Sequence, residues 1–363
     1  MTMIELDEQD LAEVERFAGD LFMACLAALE LANVELGVRL GLYEAMAGAD
    51  PLTAGELAAK AGVAARYAQE WLEQQAVAGV VDVVDASAPS WGRRFRLPNS
   101  HAHVLTADDS EACMKPCAAV VPWAAKALDL MVDAYRSGEG VSFGAFDVHD
   151  LQAAFTRPVF VNHLVQSWLP AVKEVHDRIV AGAPVRIAEV GCGEGLAALT
   201  IAAAWPNVRI DAFDLDDASI AVAGKAAADA GVADRVRFQV ADAAALDSGA
   251  PYDLVMAVEM LHDMPDPVGV LETMRRLAGP AGAVLVVDER TEDAFAVPAT
   301  EMERLFYSFS TLHCLAVSMQ EGGAGTGTVM RTDRLRDYAT QAGFTSLEIL
   351  DVEHPQFRLY RLA

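Results

Sequence analysis

The stretch EVGCGEGLA, Glu189–Ala197, closes a short apolar run, Val185–Val190, and opens a segment of helical spacing that begins near Leu196. Glycines at 191, 193 and 195 let the backbone turn sharply and let a ligand approach the main chain without a Cβ in the way. Strand, glycine turn and helix in that order begin a βαβ unit, whose turn sits at the carboxyl rim of a parallel sheet. A Walker loop needs Gly-Lys-Ser/Thr, and no lysine is present. A dinucleotide loop prefers G-x-G-x-x-G, whereas the spacing here is G-x-G-x-G. Glu189 and Glu194 flank the turn. Two carboxylates would repel a pyrophosphate and favour a cationic or zwitterionic ligand.

Working outward, the rhythm persists. VRIDAFDLD reads as a second strand, Asp217–Ala230 as a helix, VRFQVAD as a third strand, YDLVMAVEML as a fourth, Pro267–Leu277 as a helix and AVLVVDER as a fifth strand. After a helical stretch at 299–319 and a glycine-rich loop at 322–328, Asp333–Ala342 reads as helix. LEILDVE and FRLYRLA then read as an antiparallel hairpin at the sheet edge. The expected fold is α/β: a doubly wound, mostly parallel seven-stranded sheet over 181–363, preceded by a mainly helical winged-helix domain over 1–100 and a helical connector over 101–180. The connector carries Trp123, Tyr135, Phe143, Phe146, Phe155, Phe160 and Trp168, some of them candidates for a pocket wall, with loops expected at Ser137–Phe146 and near Pro158.

The chain has 363 residues, 53% of them apolar, which is enough for a large core. Its 27 basic and 53 acidic residues give a net charge of −26, which disfavours nucleic acid and anionic membrane as partners. Five scattered cysteines (Cys25, Cys113, Cys117, Cys192 and Cys314) read as free thiols in a reducing cytoplasm. The N-terminus, MTMIELDEQD, is acidic where a secretory signal is basic. The apolar stretch Leu21–Met46 is cut by Glu30, Glu35, Arg39 and Glu44, which argues against a membrane span.

Residues 7–48 carry apolar positions at helical spacing and read as two or more helices whose surplus apolar surface suits a homodimer interface. Thr53 is placed to cap a helix at Glu56–Lys60, a turn follows at Gly62, and a second helix spans Ala65–Ala78. Two strands around a Ser/Pro/Gly turn complete a winged helix-turn-helix. A DNA-reading second helix should be basic. Residues 51–100 hold five basic and five acidic side chains, so composition favours a packing and dimerising module.

Asp214 ends the second strand, 23 residues beyond Gly191, where a carboxylate can accept both ribose hydroxyls; Asp216 and Asp217 are alternative owners of that contact. Ala241-Asp242 ends the third strand, where an acceptor can meet an adenine amino group. Ribose, adenine and a positive charge together describe S-adenosylmethionine. With E-V-G-C-G-E-G, the acidic end of strand two, the A-D after strand three and Y-D-L-V-M…L-H-D after strand four, the chain resembles the class I S-adenosylmethionine-dependent methyltransferases. The winged-helix start extends the likeness to the small-molecule O-methyltransferases. The resemblance implies cofactor contacts at Glu189, Gly191, Gly193, Asp214, Ala241 and Asp242, with a small-molecule acceptor.

EMLHDMPDP, Glu259–Pro267, lies just past strand four. In the resembling enzymes the histidine of L-H-D is the general base, which makes His262 the catalytic candidate; imidazole suits the task at neutral pH. A subgroup, the iron-dependent α-keto-acid C-methyltransferases, looks similar here. That likeness implies iron held by His262, Asp263 and His313. Consecutive strand residues point to opposite faces, so His262 and Asp263 can share an ion only if the chain turns between them. Glu259 and Asp288 are supporting candidates near strand ends. The expected activity is methyl transfer to oxygen, or metal-assisted transfer to carbon of a keto acid. The rival is a winged-helix regulator that responds to S-adenosylmethionine.

Overall fold

The computed structural model describes residues 6–246 and 250–363. The chain divides into two compact units, Met1–Pro122 and Trp123–Ala363.

In the first unit, residues 7–48 form two helices, a 32-residue α1 (Glu8–Arg39) and a short α2 (Leu42–Met46). No proline interrupts α1, an Asp7–Asp10 capping box opens it, and Gly41 supplies the left-handed residue that stops it. Much of its apolar surface stays uncovered: Leu21, Phe22 and Leu29 are 57%, 68% and 61% exposed. By length and composition alone, α1 would suffice to cross a bilayer. A Thr53–Glu56 capping box opens α3 (Ala54–Ala61), and Gly62 closes it ahead of α4 (Ala65–Val77). The wing is shorter than its sequence suggests: β1 (Asp82–Val83) and β2 (Phe95–Arg96) pair over two residues each. Leu42, Tyr43, Leu57, Trp71, Leu72 and Phe95 form the core of this unit. Then come α5 (Asn99–Thr106) and α6 (Lys115–Ser137).

The second unit takes in α6 from Trp123 onward, then α7 (His149–Val159), a π-helical stretch Phe160–Trp168, α8 (Leu169–Ala171) and α9 (Lys173–Val180). The loop expected near Pro158 is absent. Pro158 lies inside α7, and the helix continues through wider turns that accommodate the missing donor. The Asn162 side-chain amide donates to the Pro158 carbonyl at 2.7 Å.

The sheet then forms from β3 (Val185–Val190), β4 (Val208–Asp214), β5 (Val236–Val240), β6 (Leu254–Val258), β7 (Ala283–Glu289), β8 (Leu347–Ile349) and β9 (Phe357–Leu362). Its order is β5-β4-β3-β6-β7-β9-β8. Only β9 and β8 run antiparallel to their neighbours, with β9 lying between β7 and the edge strand β8. The connecting helices are α10 (Leu196–Ala204), α11 (Asp217–Asp229), α12 (Pro267–Ala278), α13 (Glu301–Phe309), α14 (Leu315–Ser318) and α15 (Thr332–Gln341). Helices cover both faces, so β6 and β7 are buried at every position, whereas the edge strands β5 and β8 keep exposed residues. Val185 and Ile187 join the core on one face, Ala188 and Val190 the core on the other. Strand order reverses at β3, which pairs with both β4 and β6. The turn after β3 therefore opens at a switch point, where such sheets bind ligands.

Candidate active site

The glycine turn is built for close approach. Gly191 has φ 69°, and a Cβ there would lie 2.8 Å from the Met260 side chain; at Gly195, φ 79°, it would lie 2.4 Å from the Phe238 ring. The Gly193 N–H donates to Asp214 Oδ2 at 2.8 Å, and the Asp216 N–H to Asp214 Oδ1 at 3.0 Å. Ala241 N–H donates to the Asp214 carbonyl at 2.8 Å, and Asp242 Oδ1 accepts from Ala244 N–H at 2.9 Å. Asp216 caps α11 through the Ser219 N–H. Each strand-end carboxylate is thus held by backbone donors while keeping lone pairs free. Glu189 differs: it is buried and its Oε2 has no hydrogen-bond partner. Burial pushes its pKa up to about 8, against a hydrogen bond from Ala198 and with added repulsion from Asp214.

Glu189, Gly191, Gly193, Asp214, Ala241 and Asp242 all line one cavity of about 740 Å³. Glu194, Asp216 and His149 line it too, and His149 Nε2 lies 3.3 Å from Asp216 Oδ2. The same cavity has a wall of Phe143, Phe160, Met264 and Val317 with Glu259, Asp263, Asp266 and Glu321. The glycine-rich loop at 322–328 is tied down beside this wall. Ala324 N–H donates to the Pro265 carbonyl at 2.9 Å, and Gly327 N–H to Ser318 Oγ at 3.2 Å.

The turn demanded between His262 and Asp263 exists. Leu261–Asp263 is a 3-10 turn, and His262 Nε2 lies 3.4 Å from Asp263 Oδ1. Behind it, His262 Nδ1 lies 2.9 Å from Asp288 Oδ1 and 3.1 Å from Glu289 Oε2 at the end of β7. His262 is 2% exposed and is not among the residues lining the cavity; Asp263, 5% exposed, is. Burial alone would lower the imidazole pKa, but Glu289, Asp288 and Asp263 outweigh it and hold His262 well above its ordinary value. Burial also works against ionising Asp288, yet His262 and the Glu289 N–H keep its pKa low; burial raises Glu289 far above the carboxylate range. Glu259 holds a left-handed φ of 53°, and burial pushes its carboxyl up to about 8. A strained non-glycine residue at a cavity wall is a common mark of a working site.

His313 sits in a π-helical turn, Ser310–Cys314, with Phe146 at 4.6 Å, Phe143 at 5.4 Å and Trp123 at 6.1 Å between ring centroids. Burial lowers its pKa, against the opposing charge of Asp263, and its Nε2 has no hydrogen-bond partner. Among the described residues, two triplets bring ligand-type atoms within 4.8 Å of one another: His262, Asp263 and Cys314, and His262, Asp288 and Glu289. Glu289 and Cys314 escaped the sequence reading. Each stands next to a residue it did single out, Asp288 and His313.

With this geometry in view, the comparisons are specific. Residues 183–340 match the profile of a family described as "Methyltransferase domain", and residues 27–107 that of an "Rv2258c-like winged HTH domain". The chain carries a methyltransferase domain behind a winged helix-turn-helix domain. A "Ubiquinone biosynthesis O-methyltransferase" of Paracidovorax citrulli is 34% identical over 137 residues, 37% of this chain and 53% of the relative. A "27-O-demethylrifamycin SV methyltransferase" of Amycolatopsis mediterranei is 28% identical over 187 residues, 50% of this chain and 63% of the relative. The chain thus spans roughly half to two thirds of the length of these curated relatives. Two solved structures share the fold. Mitomycin 7-O-methyltransferase MmcR gives a TM-score of 0.68 at 18% identity, over 98% of this chain and 100% of that one; PigF with SAH gives 0.69 at 19%, over 99% of each. Neither family profile singles out the iron-dependent subgroup for this methyltransferase domain.

Proposed function

We propose that the protein transfers the methyl group of S-adenosylmethionine to a hydroxyl of a small-molecule acceptor. The observation that carries this reading is the convergence of the glycine turn, Asp214, Asp242 and Glu189 on one cavity at the switch point of the sheet. The carboxylates suit ribose, adenine and a cationic methionine portion. The remaining space, walled by Phe143, Phe160 and Met264, takes the acceptor. In the reaction the acceptor oxygen bonds the methyl carbon as the sulfur–methyl bond breaks, and S-adenosylhomocysteine leaves. The hydroxyl proton passes to Asp263 at the wall, and the His262 imidazolium, its Nε2 3.4 Å from Asp263 Oδ1, holds that carboxylate in place. Asp288 and Glu289 stabilise the imidazolium. Alignment of oxygen, methyl and sulfur supplies much of the rate. Calorimetric titration with S-adenosylmethionine tests this reading, and absence of binding heat rejects it.

A metal ion at the same place is a second reading, favoured by Asp263 Oδ1 and His313 Nε2, both buried without hydrogen-bond partners. Among the described residues the ligand atoms of His262, Asp263 and Cys314 gather within 4.8 Å, while His313 joins no such group. His262, Asp263 and Cys314 would therefore hold the ion, with His313 Nε2 as a further candidate ligand. When bound, the ion would act as a Lewis acid toward a keto-acid acceptor. Elemental analysis of the purified protein and of His313→Ala decides. Stoichiometric iron lost in the variant establishes this reading, and iron-free, active protein leaves base catalysis.

The regulator reading is weaker. The winged domain's arginines are engaged within it: Arg66 with Glu70, Arg93 with Glu73, Arg94 with Glu56 and Arg96 with Asp82. A gel shift at low salt should show no retarded DNA. The exposed apolar face of α1 fits a second copy of the chain, giving a homodimer, and the five free cysteines fit a cytoplasmic setting.

A further inference from the structure

The cavity wall sets a limit on the acceptor. Among the described residues lining it are nine acidic side chains, two of them (Glu189 and Glu259) kept protonated by burial, one imidazole, His149, and no lysine or arginine. Glu189, Asp214 and Asp242 are assigned to the cofactor; Glu259, Asp263, Asp266 and Glu321 line the same cavity. A charge in a partly buried space is screened far less than in water, so a second anion there meets strong repulsion. One atom also asks for a donor. Asp263 is 5% exposed, lines the cavity, and has a buried Oδ1 without a hydrogen bond. A buried carboxylate oxygen left without a donor is destabilising, and a ligand that supplies one is favoured for it.

We propose that the acceptor carries no carboxylate or phosphate, and that its reacting hydroxyl donates to the Asp263 carboxylate while its apolar body lies against Phe143 and Phe160. This deepens the methyl-transfer reading above and rests on its metal-free form. An anionic acceptor would place like charge beside Asp263 and Glu321. A neutral or cationic one donates to that carboxylate without the repulsion.

The test uses the full chain, treated with EDTA and saturated with S-adenosylhomocysteine, titrated calorimetrically with three catechols of different charge: dopamine, the methyl ester of protocatechuate, and protocatechuate itself. The amine and the ester should bind at least about tenfold tighter than the acid, a gap of roughly 1.4 kcal/mol. Asp263→Asn should narrow that gap to about threefold, because one wall charge is gone. If that variant does not fold, Glu321→Gln on the exposed rim should narrow it by roughly a factor of two. Tightest binding by the acid, no binding by any of the three, or a gap unmoved in every folded variant overturns the proposal. If S-adenosylhomocysteine itself fails to bind, the methyl-transfer reading fails first and takes this inference with it; binding of that compound with preference for the acid sinks the inference alone.

Discussion

Two sets of strand ends handle carboxylates in opposite ways. At the ends of β4 and β5, Asp214 and Asp242 are each held by backbone N–H groups of their own or an adjacent turn, 2.8–3.0 Å away. At the ends of β6 and β7, Asp263, Asp288 and Glu289 crowd one imidazole, and each keeps a buried oxygen without a hydrogen bond. Backbone donors fix a carboxylate as a charged, rigid acceptor, which suits holding a ligand. A buried knot of titratable groups shares protons among its members, which suits moving one. The first set should therefore govern affinity and the second turnover.

Two substitutions separate these roles. His262→Gln should lower turnover about 10²–10⁴-fold, the usual worth of acid–base machinery, because Asp263 loses its imidazolium partner. It should leave S-adenosylmethionine affinity within about threefold, since the two sets share no hydrogen bond. Single-turnover transfer of labelled methyl to the tightest-binding catechol, run beside calorimetry, measures both. A parallel loss of affinity would make the cluster part of the cofactor site. Asp214→Ala should do the reverse, weakening the cofactor about 10–100-fold through lost hydrogen bonds to a charged group. Transfer at saturating cofactor should stay near wild type. Asp214→Asn, which retains one acceptor oxygen, should fall between. If Asp214→Ala slows transfer at saturation, the division of labour between the two sets fails.

The same contrast explains what could be read from the sequence. The strands, the glycine turn and the acids at their ends are local patterns: period, turn residue and terminal carboxylate lie within a few positions of one another. His262 was marked by a motif of the same kind. Its surroundings were not. Asp288 and Glu289 reach it from the neighbouring strand, 26 and 27 residues on, and Cys314 arrives on a π-helical turn that shifts the helical register around His313. Side-chain periodicity assumes regular turns, so it does not say that His313 rather than Cys314 points a given way. The wider turns after Pro158 hid the continuity of that helix for the same reason. On α1 a uniformly Ala- and Leu-rich pattern gave no signal of where one helix should stop; a single left-handed glycine decides it.

The smallest effect expected is a proton. Glu189 at the cofactor end and Glu259 just past β6 both have carboxyl groups that burial lifts to about 8, so at neutral pH each holds a proton in the ligand-free protein. A sulfonium and an ammonium arriving nearby favour the ionised form, so binding should release a fraction of a proton at pH 7 and affinity should climb as pH approaches 8. Calorimetry in two buffers of different ionisation heat reads this directly, and Glu189→Gln should remove part of the release. Stability follows by linkage. A carboxyl raised in the folded state contributes stability that is full below its ordinary value, 4.5, and is lost as pH climbs toward 8. The ligand-free melting temperature of wild type should therefore fall relative to Glu189→Gln between pH 5 and pH 8, and bound S-adenosylmethionine should shrink that difference. A wild-type melting temperature that instead stays level with the variant's over this interval would mean Glu189 is already ionised and paired in the empty site, and the cofactor end would then resemble Asp214 throughout.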